Sequence, residues 1–151
     1  MYQIKEHGLS IAAPADWKGV EFEPGMVWHV GTDMETLVSV SIKINSDPSM
    51  ALMSNEKYWE NMTKDRFVSV MRVLYAEPEI NFWQTNYPFA GGRALHAVYS
   101  GRISETKMTV LIIQTVRNGK LYTLNCQAIS PEFHKLYSRT FLRIADSMKF
   151  D

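Results

Sequence analysis

The chain has 151 residues, of which 46% are hydrophobic, 21% charged and 12% aromatic. This length and composition predict one packed globular domain over residues 1–151 and exclude a disordered chain. Sixteen Lys and Arg balance sixteen Asp and Glu, and this zero net charge excludes the uniformly basic surface that a non-specific nucleic-acid binder needs.

Short strands are predicted in the first third of the chain. The clearest covers residues 36–44, where apolar and polar residues alternate with a period of two. This alternation predicts one buried face and one largely polar face. The other strands are predicted at residues 9–13, 20–23 and 26–30.

A helix and a series of hairpin strands are predicted next. The helix covers residues 54–71, with Ser54 as its N-cap. Asn118-Gly119 predicts a type I′ turn, because these residues accept positive φ values. Strands that are apolar on both faces need cover on both faces. The four strands are predicted at residues 80–87, 93–103, 107–116 and 121–129.

The last element is predicted to be an amphipathic helix that packs across the sheet. Ser130 fits an N-cap and Pro131 fits the first helical position. The apolar residues that follow have the i, i+3, i+4, i+7 spacing of one helical face. They are Phe133, Leu136, Tyr137, Phe141, Ile144, Ala145 and Met148.

The motifs of the common enzyme classes are absent from this sequence. It has no phosphate-binding glycine loop, no nucleophile elbow and no HExxH pair. The single cysteine, Cys126, excludes an intramolecular disulfide and a multi-cysteine metal site. His96 could meet Cys126 in the sheet as a nucleophilic pair, although a buried thiol beside an unrelated histidine is the commoner arrangement. We therefore expect no catalytic residue, no metal ligand and no cofactor.

Aromatic residues supply the candidate binding site. Most of them are expected in the core, but a thin domain has limited room for so many rings. Trp83 and Tyr87 have the same parity on one predicted strand, so we expect both on one sheet face. An aromatic face left open would bind a ligand or a protein. The candidate binding residues are Trp83, Tyr87, Trp28 and Tyr58.

The ends of the sequence bear on the compartment. The first residues lack the basic and apolar segments of a signal peptide, and the longest aliphatic run, residues 110–113, is far too short to span a membrane. As written, the sequence predicts a cytoplasmic protein without a transmembrane segment. The alternative is a periplasmic protein or lipoprotein whose leader has been removed.

Several stretches, in the same order, resemble those of a known family. The first has a glycine, a short strand, a proline and a tryptophan, and the last is a helix that carries Phe, Ile and Ser. The stretches are residues 8–17, 119–124, 130–133 and 141–150. Together they resemble the DcrB and PsbP-like domains. This resemblance implies an α+β fold in which an antiparallel sheet of about six strands is sandwiched between helices, the α/β/α Mog1/PsbP-like fold.

The resemblance also implies a class of function. It carries no shared active site, and its known branches are binding proteins, so it implies a non-catalytic protein-interaction or accessory domain of a bacterial protein. Two alternatives stay open, a cytoplasmic chaperone of the kind associated with type VI secretion effectors and a small-ligand-binding domain. A protein partner is expected, and a homodimer is a further alternative.

The net charge of zero is the sum of two halves of the chain that have opposite net charges. Residues 1–90 contain twelve acidic and seven basic side chains, whereas residues 91–151 contain four acidic and nine basic ones. In the predicted fold the basic excess falls on the last strands and the final helix. Such a polarised surface could orient a partner or pair two copies head to tail.

Overall fold

A seven-stranded antiparallel sheet organises the computed structural model, which describes residues 1–33, 35–46 and 54–151. In chain order its strands are β3 (Lys18–Gly19), β4 (Met26–Gly31), β5 (Ser39–Asn45), β6 (Ala76–Phe89), β7 (Gly92–Ile103), β8 (Thr106–Arg117) and β9 (Lys120–Ile129). In space they follow the order β3-β4-β5-β9-β8-β7-β6. The long strands β6 to β9 therefore form a meander of successive hairpins, to which β5, β4 and β3 are added beyond β9.

A second sheet of three strands joins the two ends of the described chain. Its strands are β1 (Tyr2–Ile4), β2 (Leu9–Ile11) and β10 (Lys149–Phe150), with β2 in the middle. Gly8 makes the connection before β2 in the left-handed region, at φ 60°, a conformation that glycine adopts without steric cost. The main-chain nitrogen of Asp151 donates to the carbonyl of Gly8. Of these three strands, only β2 is expected from the sequence.

Two short helices replace the single helix predicted at residues 54–71. They are α1 (Asn55–Asn61) and α2 (Lys64–Met71). The predicted cap is confirmed, since the Ser54 hydroxyl accepts from the main-chain nitrogen of Lys57. The break follows from a second cap, because the Thr63 hydroxyl accepts from the nitrogen of Arg66 after Met62 adopts an extended conformation.

The C-terminal helix is interrupted by a π-helical turn. Its parts are α3 (Ser130–Leu136), the π turn (Tyr137–Phe141) and α4 (Leu142–Ser147). The predicted N-cap at Ser130 is wrong, because the helix already begins at that residue. The Ser130 hydroxyl instead hydrogen-bonds to the Thr109 hydroxyl, at 2.8 Å, and donates to the carbonyl of Lys107. It therefore fastens the start of the helix to β8.

The helices cover the sheet from both sides. The C-terminal helix and the three-stranded sheet lie on one face, where the larger cluster of buried residues includes Ile42, Leu111, Leu124, Phe133 and Phe141. Helices α1 and α2 lie on the other face over β6, β7 and β8, where Phe67, Leu95, Tyr99, Val110 and Ile112 form a smaller cluster. The expected α+β sandwich is confirmed.

The structure differs from the predicted strands in two details. The main sheet has seven strands instead of about six, because β3 contributes a two-residue pair at the edge. The strand predicted at residues 20–23 is absent, and β3 lies just before it. The predicted turn at Asn118-Gly119 is confirmed, since both residues have positive φ values, 51° and 70°.

Because Gly101 has no side chain, the segment between α2 and β6 can lie against β7. A Cβ atom at Gly101 would lie 2.6 Å from the Cβ of Tyr75, whose own ring packs 5.6 Å from that of Tyr99. A Cβ atom added at Gly19 on β3 would have no neighbouring atom within 4 Å. The two glycines thus form a matched pair for substitution.

We expect Gly101→Ala to lower the free energy of unfolding by about 1–3 kcal/mol, because Tyr75 must move out of a packed position. Gly19→Ala should leave it unchanged or raise it slightly, since alanine reduces the entropy of the unfolded chain. Urea denaturation followed by tryptophan fluorescence measures both variants. Equal stability of the two would show that the close approach at Gly101 does not constrain the fold.

Candidate functional site

The two aromatic residues predicted on one face of β6 lie on opposite faces. The ring of Trp83 packs 5.4 Å from that of Phe67, beneath α2. The ring of Tyr87 packs 4.5 Å from that of His96, on the face that carries the C-terminal helix. The prediction that Trp83 and Tyr87 share a face is therefore wrong.

Irregular pairing of β6 explains this difference. Trp83 lies opposite Ala97 of β7, whereas Tyr87 lies opposite Ala94, so four steps on β6 correspond to three on β7. The extra residue falls in the register shift between Gln84 and Tyr87. A bulge of this kind reverses the alternation of side chains beyond it. Parity along the sequence therefore does not give the face of Tyr87.

The other two aromatic candidates lie far from this strand. Trp28 is buried on β4, and its ring contacts that of Tyr2 at 5.3 Å. Tyr58 is half-buried on α1, where it contacts the ring of Trp59 and packs beside Val116. Trp28 and Tyr87 pack with the larger cluster, Trp83 with the smaller one and Tyr58 beside Val116, so the four candidates do not form one surface.

His96 and Cys126 do not meet as a nucleophilic pair. Both side chains lie on the face of the C-terminal helix, but β8 runs between their strands. Two strand spacings separate them laterally by about 10 Å. Cys126 is fully buried, and this burial raises the pKa of its thiol, so the reactive thiolate is disfavoured.

His96 belongs instead to an aromatic enclosure. Its Nε2 atom lies 3.0 Å from the hydroxyl of Tyr137, which is on the π turn. The rings of Phe82 and Tyr87 approach its ring edge-on. Burial lowers the pKa of His96, because the charged imidazolium loses its hydration. The imidazole is therefore held neutral at neutral pH.

A feature not expected from the sequence is that α1 and α2 cover only part of the sheet face on which they lie. A row of neighbouring residues crosses this face from His29 through Ser41 and Asn125 to Ile112 and Ala97. The row is polar on β4, β5 and β9 and apolar on β8 and β7. The two helices pack on the apolar part, which leaves the polar part open.

This open part forms a groove of about 350 Å³, which we call the polar trough. Its floor consists of side chains from β5 and β9, its first wall comes from α2 and the apolar strands, and its second wall comes from β4 and the loop before it. The floor residues are Ser39, Ser41, Lys43, Thr123, Asn125 and Gln127. The first wall includes Met71, Leu74, Tyr75 and Ile103, and the second includes Glu23, Met26 and His29.

The charged groups of the polar trough neutralise one another. The Nζ atom of Lys43 lies 3.4 Å from a carboxylate oxygen of Glu23, in a solvent-exposed ion pair. Such a pair contributes little to stability, but it leaves the trough without net charge. The Nδ1 atom of His29 donates to the carbonyl of Glu21, which orients the ring and leaves Nε2 available.

Four exposed aliphatic side chains lie on or next to the first wall, and we call them the apolar rim. Val73 is 84% exposed and Leu74 66%, while Val70 and Ile103 are each about half exposed. Two main-chain hydrogen bonds, from Val73 to Val70 and from Leu74 to Met71, hold the rim residues in a turn after α2. Adjacent exposed aliphatic residues are typical of protein-interaction sites. A sequence signal existed in the consecutive Val73-Leu74 after the predicted helix.

Comparison with known proteins agrees with this architecture. Residues 1–150 match the family model of PsbP. The chain belongs to the PsbP family. The resemblance described from the sequence is thereby confirmed over nearly the whole chain. No curated protein sequence matches it.

Solved structures share the fold of this PsbP-family chain at low sequence identity. CyanoP, the PsbP protein of Synechocystis sp. PCC 6803, is 18% identical and has a TM-score of 0.67, over 99% of this chain and 91% of its own. LpqN of Mycobacterium tuberculosis, involved in cell envelope biogenesis, is 12% identical with a TM-score of 0.54, over 93% and 82%. PA94 of Pseudomonas aeruginosa, a protein of unknown function, is 10% identical with a TM-score of 0.51, over 70% and 68%.

Two further observations concern the described part of this PsbP-family domain. None of its helices is long and apolar enough to cross a membrane. Within the same residues, no group of three or more His, Cys, Asp or Glu side chains is placed to hold a metal ion.

The enclosure of His96 predicts a pH dependence of stability. The folded state lowers the pKa of His96. Its contribution to the stability of the fold is therefore fully present above the unfolded-state pKa of about 6.5, and it is lost as the pH falls toward the folded-state pKa. We expect the wild type to lose stability between about pH 7.5 and about pH 5. His96→Phe, which cannot titrate, should lose less.

Urea denaturation at both pH values measures this difference. The matched control is His134→Phe, because His134 is exposed on α3 and its substitution should preserve the pH dependence of the wild type. An unchanged pH dependence in His96→Phe would show that other groups cause the loss.

Proposed function

We propose that this PsbP-family chain is a non-catalytic protein-interaction module, whose protein partner binds at the polar trough and the apolar rim. The observation that carries the proposal is the apolar rim itself, where Val73 and Leu74 are mostly exposed beside an open groove. Burying these side chains against a partner would contribute about 25 cal/mol for each Å² of apolar surface. The rim therefore supplies the anchor, and the trough supplies polar contacts.

The arrangement of the titratable groups supports a binding role. The best candidate for a nucleophilic pair, His96 with Cys126, is separated by a strand, and the thiol is buried. The trough contains the exposed ion pair of Lys43 with Glu23, the imidazole of His29 and several neutral polar side chains. These features favour recognition over acid–base chemistry.

Photo-cross-linking tests the proposal in the native host. We expect benzoylphenylalanine at position 74 to cross-link a distinct protein, identified by mass spectrometry. The same group at Phe22, which is 54% exposed on another groove, provides the control and should not cross-link that protein. Addition of Val73→Glu should lower the cross-linking yield from position 74 at least tenfold, because it places a charge in the apolar contact.

The folded state of the variants is checked by thermal unfolding. Because Val73 is 84% exposed, Val73→Glu should change the free energy of unfolding by no more than about 0.5 kcal/mol. Absence of a specific cross-link from position 74, or equal yields with Val73→Glu, would refute the proposed interface. A product of twice the chain mass would identify a second copy as the partner and replace the proposal with a homodimer.

A further inference from the structure

We propose that the polar trough holds an extended, uncharged stretch of the partner polypeptide, whose main-chain amides hydrogen-bond to Asn125 and Gln127. This inference rests on the proposed function and specifies the chemistry of the partner. Asn125 and Gln127 are half-buried on β9 and line the trough. Their side chains make no hydrogen bond with other residues in the described ranges. Each therefore has a donor and an acceptor available to a ligand.

The spacing of these two amides fits an extended chain. Asn125 and Gln127 are two residues apart on one strand, so their side chains project from the same face about 6.6–6.8 Å apart. An extended peptide repeats its outward N–H and C=O groups with the same two-residue period. A peptide aligned with β9 can thus meet both side-chain amides with main-chain groups.

The hydrogen-bonding groups of the trough favour an extended segment over a helix. The groove measures about 350 Å³ and lies over β5 and β9, between the walls contributed by Leu74 and His29. A helix has a diameter of about 10–12 Å with its side chains, and its main-chain groups are already paired internally. A helix therefore could not meet the side chains of Asn125 and Gln127 with main-chain groups. An extended strand is narrower and leaves its main-chain groups unpaired.

Charge and hydrophobicity define the sequence that would bind. The pairing of Lys43 with Glu23 leaves the trough without net charge, so a charged side chain inserted there would lose hydration without a partner. On the rim side, Leu74 and Ile103 present exposed aliphatic surface. The segment therefore has uncharged residues in the trough and an apolar residue that contacts Leu74.

The aromatic residues of the wall argue against a ring-shaped ligand. Tyr75 is 9% exposed and Tyr99 4% exposed, and the two rings pack against each other. Neither ring has a free face on which a sugar or a planar ligand could stack. The trough offers hydrogen-bonding groups and aliphatic surface, and a peptide can interact with both.

A library of random 12-residue peptides displayed on phage tests this inference with the full chain as bait. Peptides are selected on the wild type after depletion on Leu74→Glu. We expect enrichment of uncharged peptides with one conserved apolar position. Isothermal titration of a synthetic enriched peptide should show that Asn125→Leu weakens binding at least fivefold, because one hydrogen-bonding group is lost. N-methylation at alternate positions of the peptide should weaken it similarly.

Asn86→Leu, the same substitution on the edge strand β6 and outside the trough, provides the matched control and should leave the dissociation constant unchanged. The inference would be overturned by peptides that require Leu74 but bind Asn125→Leu as tightly as the wild type and are not weakened by N-methylation. Failure to enrich any peptide, or binding of immobilised oligosaccharides that depends on Asn125, would overturn it as well. The cross-link from position 74 decides the proposed function separately, so the two results remain distinguishable.

Discussion

The unequal covering of the central sheet determines both the core and the position of the polar trough. Seven strands span about 29 Å between the two edges, whereas α1 and α2, with seven and eight residues, are only about 11 and 12 Å long. Strands β7 and β8 are apolar on both faces and require this cover. Strands β4, β5 and β9 alternate, so their polar side can face water. The polar trough is the direct consequence.

The opposite face shows how the fold accommodates an ionisable group in its core. His96 projects from β7 toward the C-terminal helix, where Tyr137 meets its Nε2 atom. Tyr137 begins the π turn, and a π turn changes the direction of the side chains that follow it. Burial lowers the pKa of His96, so the imidazole is neutral in this core at neutral pH.

Membership of the PsbP family accounts for the architecture of this chain. The chemistry of its surface depends on the individual residues that the chain places on that architecture. The fold persists at identities of 10–18% among the solved structures, because alternation, turns and core volume can be maintained by many sequences. Function resides in groups placed on that scaffold. The polar trough carries the side-chain amides of Asn125 and Gln127, which make no hydrogen bond to other described residues, and the exposed Leu74.

The sequence by itself determined the elements that depend on local periodicity. It predicted β5 from its alternation, the turn at Asn118-Gly119 because these residues tolerate positive φ, and the amphipathic C-terminal helix. Only the tertiary structure decided which side chains meet. A bulge in β6 separates Trp83 from Tyr87, the cap at Thr63 shortens the helices, and the short helices leave the trough open. Bulges and layer coverage depend on pairing between distant strands, which periodicity along the chain does not record.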